Sequence, residues 1–165
     1  MQIVYIDGDA TKPADVANGD KKLIVHCCND LKAWGAGFVV SLSKKWPEPE
    51  AAYRAMDQRL GHVSIVKVEE NLWVANVIGQ HGVMRGTTGE LPPVRYEALR
   101  MGFRKICEAL KGKEGYSIHM PRVASGLAGG DWAMVEVLIN DTFVRAGLEV
   151  VVYTFPGGNY FDSRY

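Results

Sequence analysis

The chain has 165 residues, and 19 lysines and arginines balance 19 aspartates and glutamates, so its formal net charge at pH 7 is zero. That balance removes any global electrostatic reason to coat nucleic acid or an anionic membrane. No apolar run approaches the roughly 20 residues needed to span a bilayer, and the N-terminus has no signal-peptide pattern. The length suits one domain over residues 1–165, able to bury roughly 70% of its unfolded surface without covalent staples. The three cysteines, Cys27, Cys28 and Cys107, are odd in number and two are adjacent. This argues against a disulfide framework, shows no metal-ligand spacing, and fits a reducing, cytoplasmic compartment.

In chain order, Ile3 to Ile6 reads as a short strand ending at Asp7-Gly8-Asp9. Leu23 to Cys28 is a second apolar run with His26 inside it. Phe38 to Trp46 reads as a helix, and Pro47-Glu48-Pro49-Glu50 opens another that runs to about Leu60, because prolines and acids suit a first turn. Val63 to Glu69 and Leu72 to Ile78 flank Glu70-Asn71 as a hairpin. Gly79 to Pro93 is a long glycine- and threonine-bearing loop of a length that is often functional. Leu99, Phe103, Ile106 and Leu110 give Val94 to Leu110 one apolar helical face. Tyr116 to Met120 is a strand. Asp131 opens and Gly147 closes an amphipathic helix. Glu149 to Phe155 is a last buried strand, followed by a polar, aromatic tail over 156–165 expected to be loosely ordered.

Strands alternating with helices imply a three-layer α/β/α sandwich around a mixed sheet, with ligands beyond the carboxyl ends of the strands. Three glycine loops follow strands and are placed to converge there. The first carries Asn29-Asp30 and Gly35-Ala36-Gly37-Phe38, whose polar pair suits sugar hydroxyls; the same residues also serve as a turn capping the next helix. The second, Ser125-Gly126-Leu127-Ala128-Gly129-Gly130, joins a strand to a helix start, where backbone N–H groups and the helix dipole favour an anion; the alternative is a permissive connection. It lacks the Gly-Lys-Ser/Thr of a Walker loop and the glycine before Ser125 that a nucleophile elbow needs. The third, Gly79-Gln80-His81-Gly82, fits a site or a simple turn. No metal-ligand spacing and no cofactor motif occurs among these residues.

Taken together, Gly8-Asp9-Ala10-Thr11, His26-Cys27-Cys28-Asn29-Asp30 with Trp34-Gly35-Ala36-Gly37-Phe38, Asn76 to Gly82, Met120-Pro121-Arg122 with Ser125 to Gly130, and Val152-Tyr153-Thr154 resemble the macrodomain family over nearly the whole chain. The likeness is to the branch of the terminal ADP-ribose protein glycohydrolases and the yeast-type ADP-ribose-1''-phosphate phosphatase. It implies that Asp9 and Ala10 contact an adenine, that Asn29 and Gly35, Ala36, Gly37 and Phe38 hold the distal ribose, and that Ser125, Gly126, Leu127 and Ala128 wrap a pyrophosphate. Tyr153 or Phe155 would lie near the adenine.

The implied partners are ADP-ribose and mono-ADP-ribosylated proteins, and the implied activity is hydrolysis of the bond between ADP-ribose and a protein carboxylate, glutamate above all. The alternatives are a phosphatase acting on ADP-ribose-1''-phosphate and a reader that binds ADP-ribose or its O-acetyl ester without turnover. The glutamate-specific glycohydrolases use a lysine in the third loop and an aspartate after Gly-Leu. Here those places read Gly79-Gln80-His81 and Ala128. A lysine adduct is therefore not carried over, and the expected chemistry is a water oriented by Asn29, Asp30 and Gln80.

Overall fold

In the central strands neighbouring residues bury into different cores. Leu23 and Val25 of β2 (Lys21–Asn29) join one apolar cluster, while Ile24 and Cys28 join another. A strand sends successive side chains to opposite faces, so a strand buried on both sides needs cover on both. The computed structural model supplies it, and describes residues 2–16, 19–83, 92–125 and 129–155. α1 (Phe38–Lys45) and α2 (Glu48–Ala55) contribute Phe38, Val39, Leu42 and Tyr53 to one cluster. α3 (Tyr96–Leu110) and α4 (Trp132–Ile139) contribute Leu99, Phe103, Ile106, Val135 and Leu138 to the other. The result is the expected three-layer α/β/α sandwich.

The six strands lie in the order β1-β6-β5-β2-β4-β3, where β1 is Ile3–Asp7, β3 Val63–Glu69, β4 Leu72–Gln80, β5 Tyr116–Pro121 and β6 Glu149–Thr154. All neighbours are parallel except β3 and β4, which form the antiparallel hairpin at one edge. Its turn places Asn71 at φ 59°, a left-handed conformation that asparagine tolerates. α4 continues as a π-helical turn over Asn140–Val144. Because five strands run the same way, the carboxyl ends of β1, β2, β4, β5 and β6 open at one end of the sheet. The tail over 156–165 lies outside the described residues.

Candidate functional site

At that end a cleft of about 470 Å³ is lined by His26 to Asn29, Gly35 to Val39, Gln80, Val83 and Pro121 to Ala124. The volume is that of a small-ligand site, and its walls come from the ends of β2, β4 and β5, as a doubly covered sheet predicts. A larger hollow of about 820 Å³ lies at the opposite end, against Gly115, Tyr116 and Glu149. It has neither glycine loop, and the ends of the strands that point into it are amino ends.

The first loop is shaped by Asn29. Its Nδ2 donates to the Ala33 carbonyl at 2.7 Å, and its Oδ1 accepts from Leu31 N, Ala33 N and the Tyr53 hydroxyl at 2.9, 3.1 and 2.8 Å. Asn29 is buried, at 8% exposure, so the side chain expected to orient a substrate is committed to loop construction. Trp34 packs against Tyr53 and His26, and its Nε1 donates to Ser43 Oγ at 2.7 Å. Phe38 packs on His26 from the next turn. Gly37 sits at φ 85°, where a side chain is strained, and starts α1. The glycine loop is thus held over the cleft by an aromatic floor.

The second loop is closed at its neck. Gly130 N donates to the Ala124 carbonyl at 2.6 Å, and Ala124 takes φ 62°, unusual for a residue with a side chain. Asp131 caps α4 by accepting from Ala133 N at 2.9 Å, and its own N–H donates to the Tyr96 hydroxyl. Arg122, half-buried, stacks over the rings of Tyr5 and Trp132 at 5.1 and 5.3 Å and donates to Thr154 Oγ1. Ser125 is buried at 3% exposure. Gly126, Leu127 and Ala128 lie outside the described residues.

Asp9 and Ala10 follow β1 at the same end of the sheet, outside the cleft lining. Asp9 Oδ1 accepts from Thr11 N and Thr11 Oγ1 at 2.9 and 2.7 Å, which fixes a tight turn. Tyr153 is a core residue, 2% exposed, whose hydroxyl accepts from Ala14 N and bonds to His119 Nδ1 at 2.7 Å. Of the two rings expected near an adenine, Phe155 is the half-buried one.

One pairing was not foreseen from the sequence. Asp30 and His81, 51 residues apart, meet where β2 and β4 end side by side. Asp30 Oδ2 lies 2.7 Å from His81 Nδ1, and Asp30 Oδ1 accepts from Gly82 N at 2.9 Å. Burial pushes the Asp30 carboxyl up. The Gly82 N–H and the His81 ring outweigh that, and it titrates below the ordinary carboxylate range. Gln80, beside them, donates to the Gly82 carbonyl at 3.0 Å. Desolvation pushes up the thiols of half-buried Cys27 and buried Cys28, Cys27 to about 12, so neither offers a thiolate nucleophile at neutral pH. Among the described residues no three His, Cys, Asp or Glu side chains gather to hold a metal ion, and no helix is long and apolar enough to cross a membrane.

The chain is 45% identical to a macrodomain protein from Streptomyces coelicolor, covering 93% of this chain and 99% of that one with a TM-score of 0.76. It is 44% identical to a Bacteroides thetaiotaomicron protein described as of unknown function, over 93% of this chain and 98% of that one, TM-score 0.84. Among curated proteins it is 31% identical to a chromodomain-helicase-DNA-binding protein 1-like of Mus musculus over 93% of the chain. It spans only 18% of that relative's length and 16% of its Danio rerio counterpart's. It is 26% identical to the ADP-ribose glycohydrolase OARD1 of Bos taurus, over 93% of this chain and 91% of that protein. It is 24% identical to an ADP-ribose 1''-phosphate phosphatase of Candida albicans, over 84% of this chain and 92% of that protein. No family model matches the sequence.

Proposed function

Since the chain belongs to the macrodomain family, we propose that its cleft binds ADP-ribose and hydrolyses the bond between the distal ribose and a protein carboxylate. The observation that carries this reading is a single cleft at the carboxyl ends of β2, β4 and β5, lined by the glycine loop Gly35 to Gly37 and by Pro121 to Ala124, the stem that leads into the second loop. The Gly130–Asp131 end of that second loop opens α4, whose helix dipole favours a pyrophosphate without any excess of basic residues. The loop from Gly35 to Phe38 lines the same cleft and suits a sugar. Asp9, Ala10 and Phe155, beyond β1 and β6, are the residues this reading assigns to the adenine. Relatives named as a glycohydrolase and a phosphatase of ADP-ribose derivatives favour turnover over passive binding. The polar groups beside the ribose loop, Asp30, Gln80 and His81, support it too. Asn29 acts by holding that loop in shape.

Calorimetry with ADP-ribose tests the binding. Wild type binds, and Gly130→Ala weakens binding at least tenfold, because a Cβ there lies 2.4 Å from the Ala124 oxygen that closes the loop. Gly35→Ala probes the ribose side: its Cβ meets nothing within 4 Å, so the fold is untouched and any loss of affinity reports on the space left for the ligand. Absence of binding by wild type at millimolar ADP-ribose removes the reading. Release of ADP-ribose from glutamate-modified protein, set beside phosphate release from ADP-ribose-1''-phosphate, separates hydrolase, phosphatase and reader.

A further inference from the structure

β2 and β4 run parallel and in register up to Cys28 and Ile78, after which Asn29 pairs with Gln80 and Gly79 is the extra residue. Such a bulge re-aims the residues beyond it. Gly79 is the residue that fits. A Cβ there would lie 2.5 Å from Leu99 Cδ2 and 2.7 Å from Cys27 Sγ, and its carbonyl accepts from Arg95 N at 2.9 Å. The bulge carries the end of β4 round so that His81 comes beside Asp30. The backbone then holds it there: His81 N donates to the Pro93 carbonyl at 2.7 Å, and Gln80 bridges Val94. Gly82 turns at φ 75° and offers its N–H to the same carboxylate.

From this geometry we propose that Asp30 and His81 form the proton-transfer pair of the site, with His81 Nε2 as the general base and Asp30 as its positioning residue. The proposal rests on the ADP-ribose reading above and goes beyond it in assigning the base. Both Asp30 oxygens are engaged, one by Gly82 N and one by His81 Nδ1, and its side chain is 14% exposed. The carboxylate therefore has one orientation. An ionised carboxylate only accepts hydrogen bonds, so Nδ1 carries the proton and Nε2 presents its lone pair. The imidazole is 64% exposed, and Gln80 and Val83 on either side of this turn line the cleft. The pair thus stands at the rim where a distal ribose would end. No cysteine here is an alternative nucleophile, which leaves water.

The step balances as follows. The oxygen of a water forms a bond to the anomeric carbon of the distal ribose, and the bond from that carbon to the carboxylate oxygen breaks, its electron pair leaving with the carboxylate. The water's proton goes to Nε2 and passes from there to bulk solvent. Asp30 stabilises the imidazolium in between, as a carboxylate does in a hydrolase triad.

The test uses the full chain, ADP-ribose and a glutamate-ADP-ribosylated protein. His81→Gln and Asp30→Asn are compared with wild type in ADP-ribose affinity, melting temperature and kcat across pH. Gln keeps a donor toward Asp30, and Asn keeps an acceptor for Gly82 N while reversing the tautomer of His81. Both variants are expected to bind ADP-ribose within about twofold of wild type and to lose a factor of about 10²–10⁴ in kcat, and the acid limb of the rate profile vanishes in His81→Gln. Rates within threefold of wild type, or an unchanged acid limb, overturn the proposal. Wild type that binds ADP-ribose but releases none from the modified protein overturns it too and leaves the binding site standing. Failure to bind ADP-ribose instead removes the reading beneath both.

Discussion

At the scale of single residues, the fold uses Asn29, a side chain that looks reactive in the sequence, as mortar. Asn29 makes four hydrogen bonds that turn the chain out of β2 and over the cleft. Each such bond is worth about 1 kcal/mol net, and more where a buried partner is left bare. Asn29→Ala is therefore expected to destabilise the protein by roughly 2–4 kcal/mol, read as a lowered denaturation midpoint. Its ligand affinity falls because the ribose loop loosens. Asn29→Asp retains the oxygen that serves Leu31, Ala33 and Tyr53 and lands between the two. A melting midpoint for Asn29→Ala equal to wild type would return Asn29 to the substrate. The sequence shows an Asn-Asp pair after a strand. It does not show which member faces inward, because that depends on Tyr53 arriving from α2.

At the scale of elements, the strands and helices were legible where one face is apolar at a fixed period. α3 is expected over Val94 to Leu110 and runs Tyr96–Leu110. The hairpin of β3 and β4 stands where Glu70-Asn71 marks its turn. The departures have local causes. β2 begins at Lys21 rather than Leu23 because its ladder with β5 starts at Tyr116, and a lysine can pair its backbone as well as any residue. α2 ends at Ala55, not near Leu60, because Met56 turns extended and Gln58 Nε2 takes the Tyr53 carbonyl. The π turn after α4 leaves no composition mark, Gly79 reads in the sequence as part of a turn rather than as a bulge inside β4, and strand order cannot be read from periodicity. The Asp30–His81 contact depends on both the β2–β4 pairing and that bulge, so it was out of reach. The contact between α3 and β4 gives a test of fit. Gly102 faces Val77, and an added Cβ would lie 2.3 Å from Val77 Cγ1. Alanine gains about 1 kcal/mol of helix propensity over glycine. The stiff, β-branched Val77 cannot swing aside, so overpacking of about 1–3 kcal/mol wins. Gly102→Ala is expected to melt below wild type; a higher midpoint would mean the sheet yields more easily than its packing indicates.

At the scale of the molecule, two buried histidines make the layer between sheet and α1/α2 sensitive to acid. His26 Nε2 donates to Asn76 Oδ1, since Asn76 Nδ2 is already given to the Pro49 carbonyl and Ser64 Oγ at 2.9 and 3.0 Å. His119 sits between Ser117 Oγ and the Tyr153 hydroxyl at 2.8 and 2.7 Å. These two networks tie β2, β3 and β4 to α2, and β5 to β6. Burial lowers the pKa of His26 to about 4. Burial, with the charge of Lys22, lowers that of His119 to about 4 as well. The unfolded chain titrates near 6.5, so between 6.5 and 4 it binds protons that the folded chain refuses. Stability is therefore complete above pH 6.5, falls as the pH drops through that window, and levels off near 4. Each imidazole accounts for about 3 kcal/mol over the window, and the two together rival the 5–15 kcal/mol of a typical domain. Asp30, held below its ordinary range, loses its contribution only as the pH falls further, so the upper window belongs to the histidines. Guanidinium denaturation at pH 7.5, 6 and 5 should show a steepening loss, with the slope approaching two protons per molecule near pH 5. In His119→Gln the stability at pH 7.5 is lower than in wild type, but the slope falls toward one proton. A midpoint that stays constant from pH 7.5 to 5 would mean that neither imidazole is held neutral by its burial.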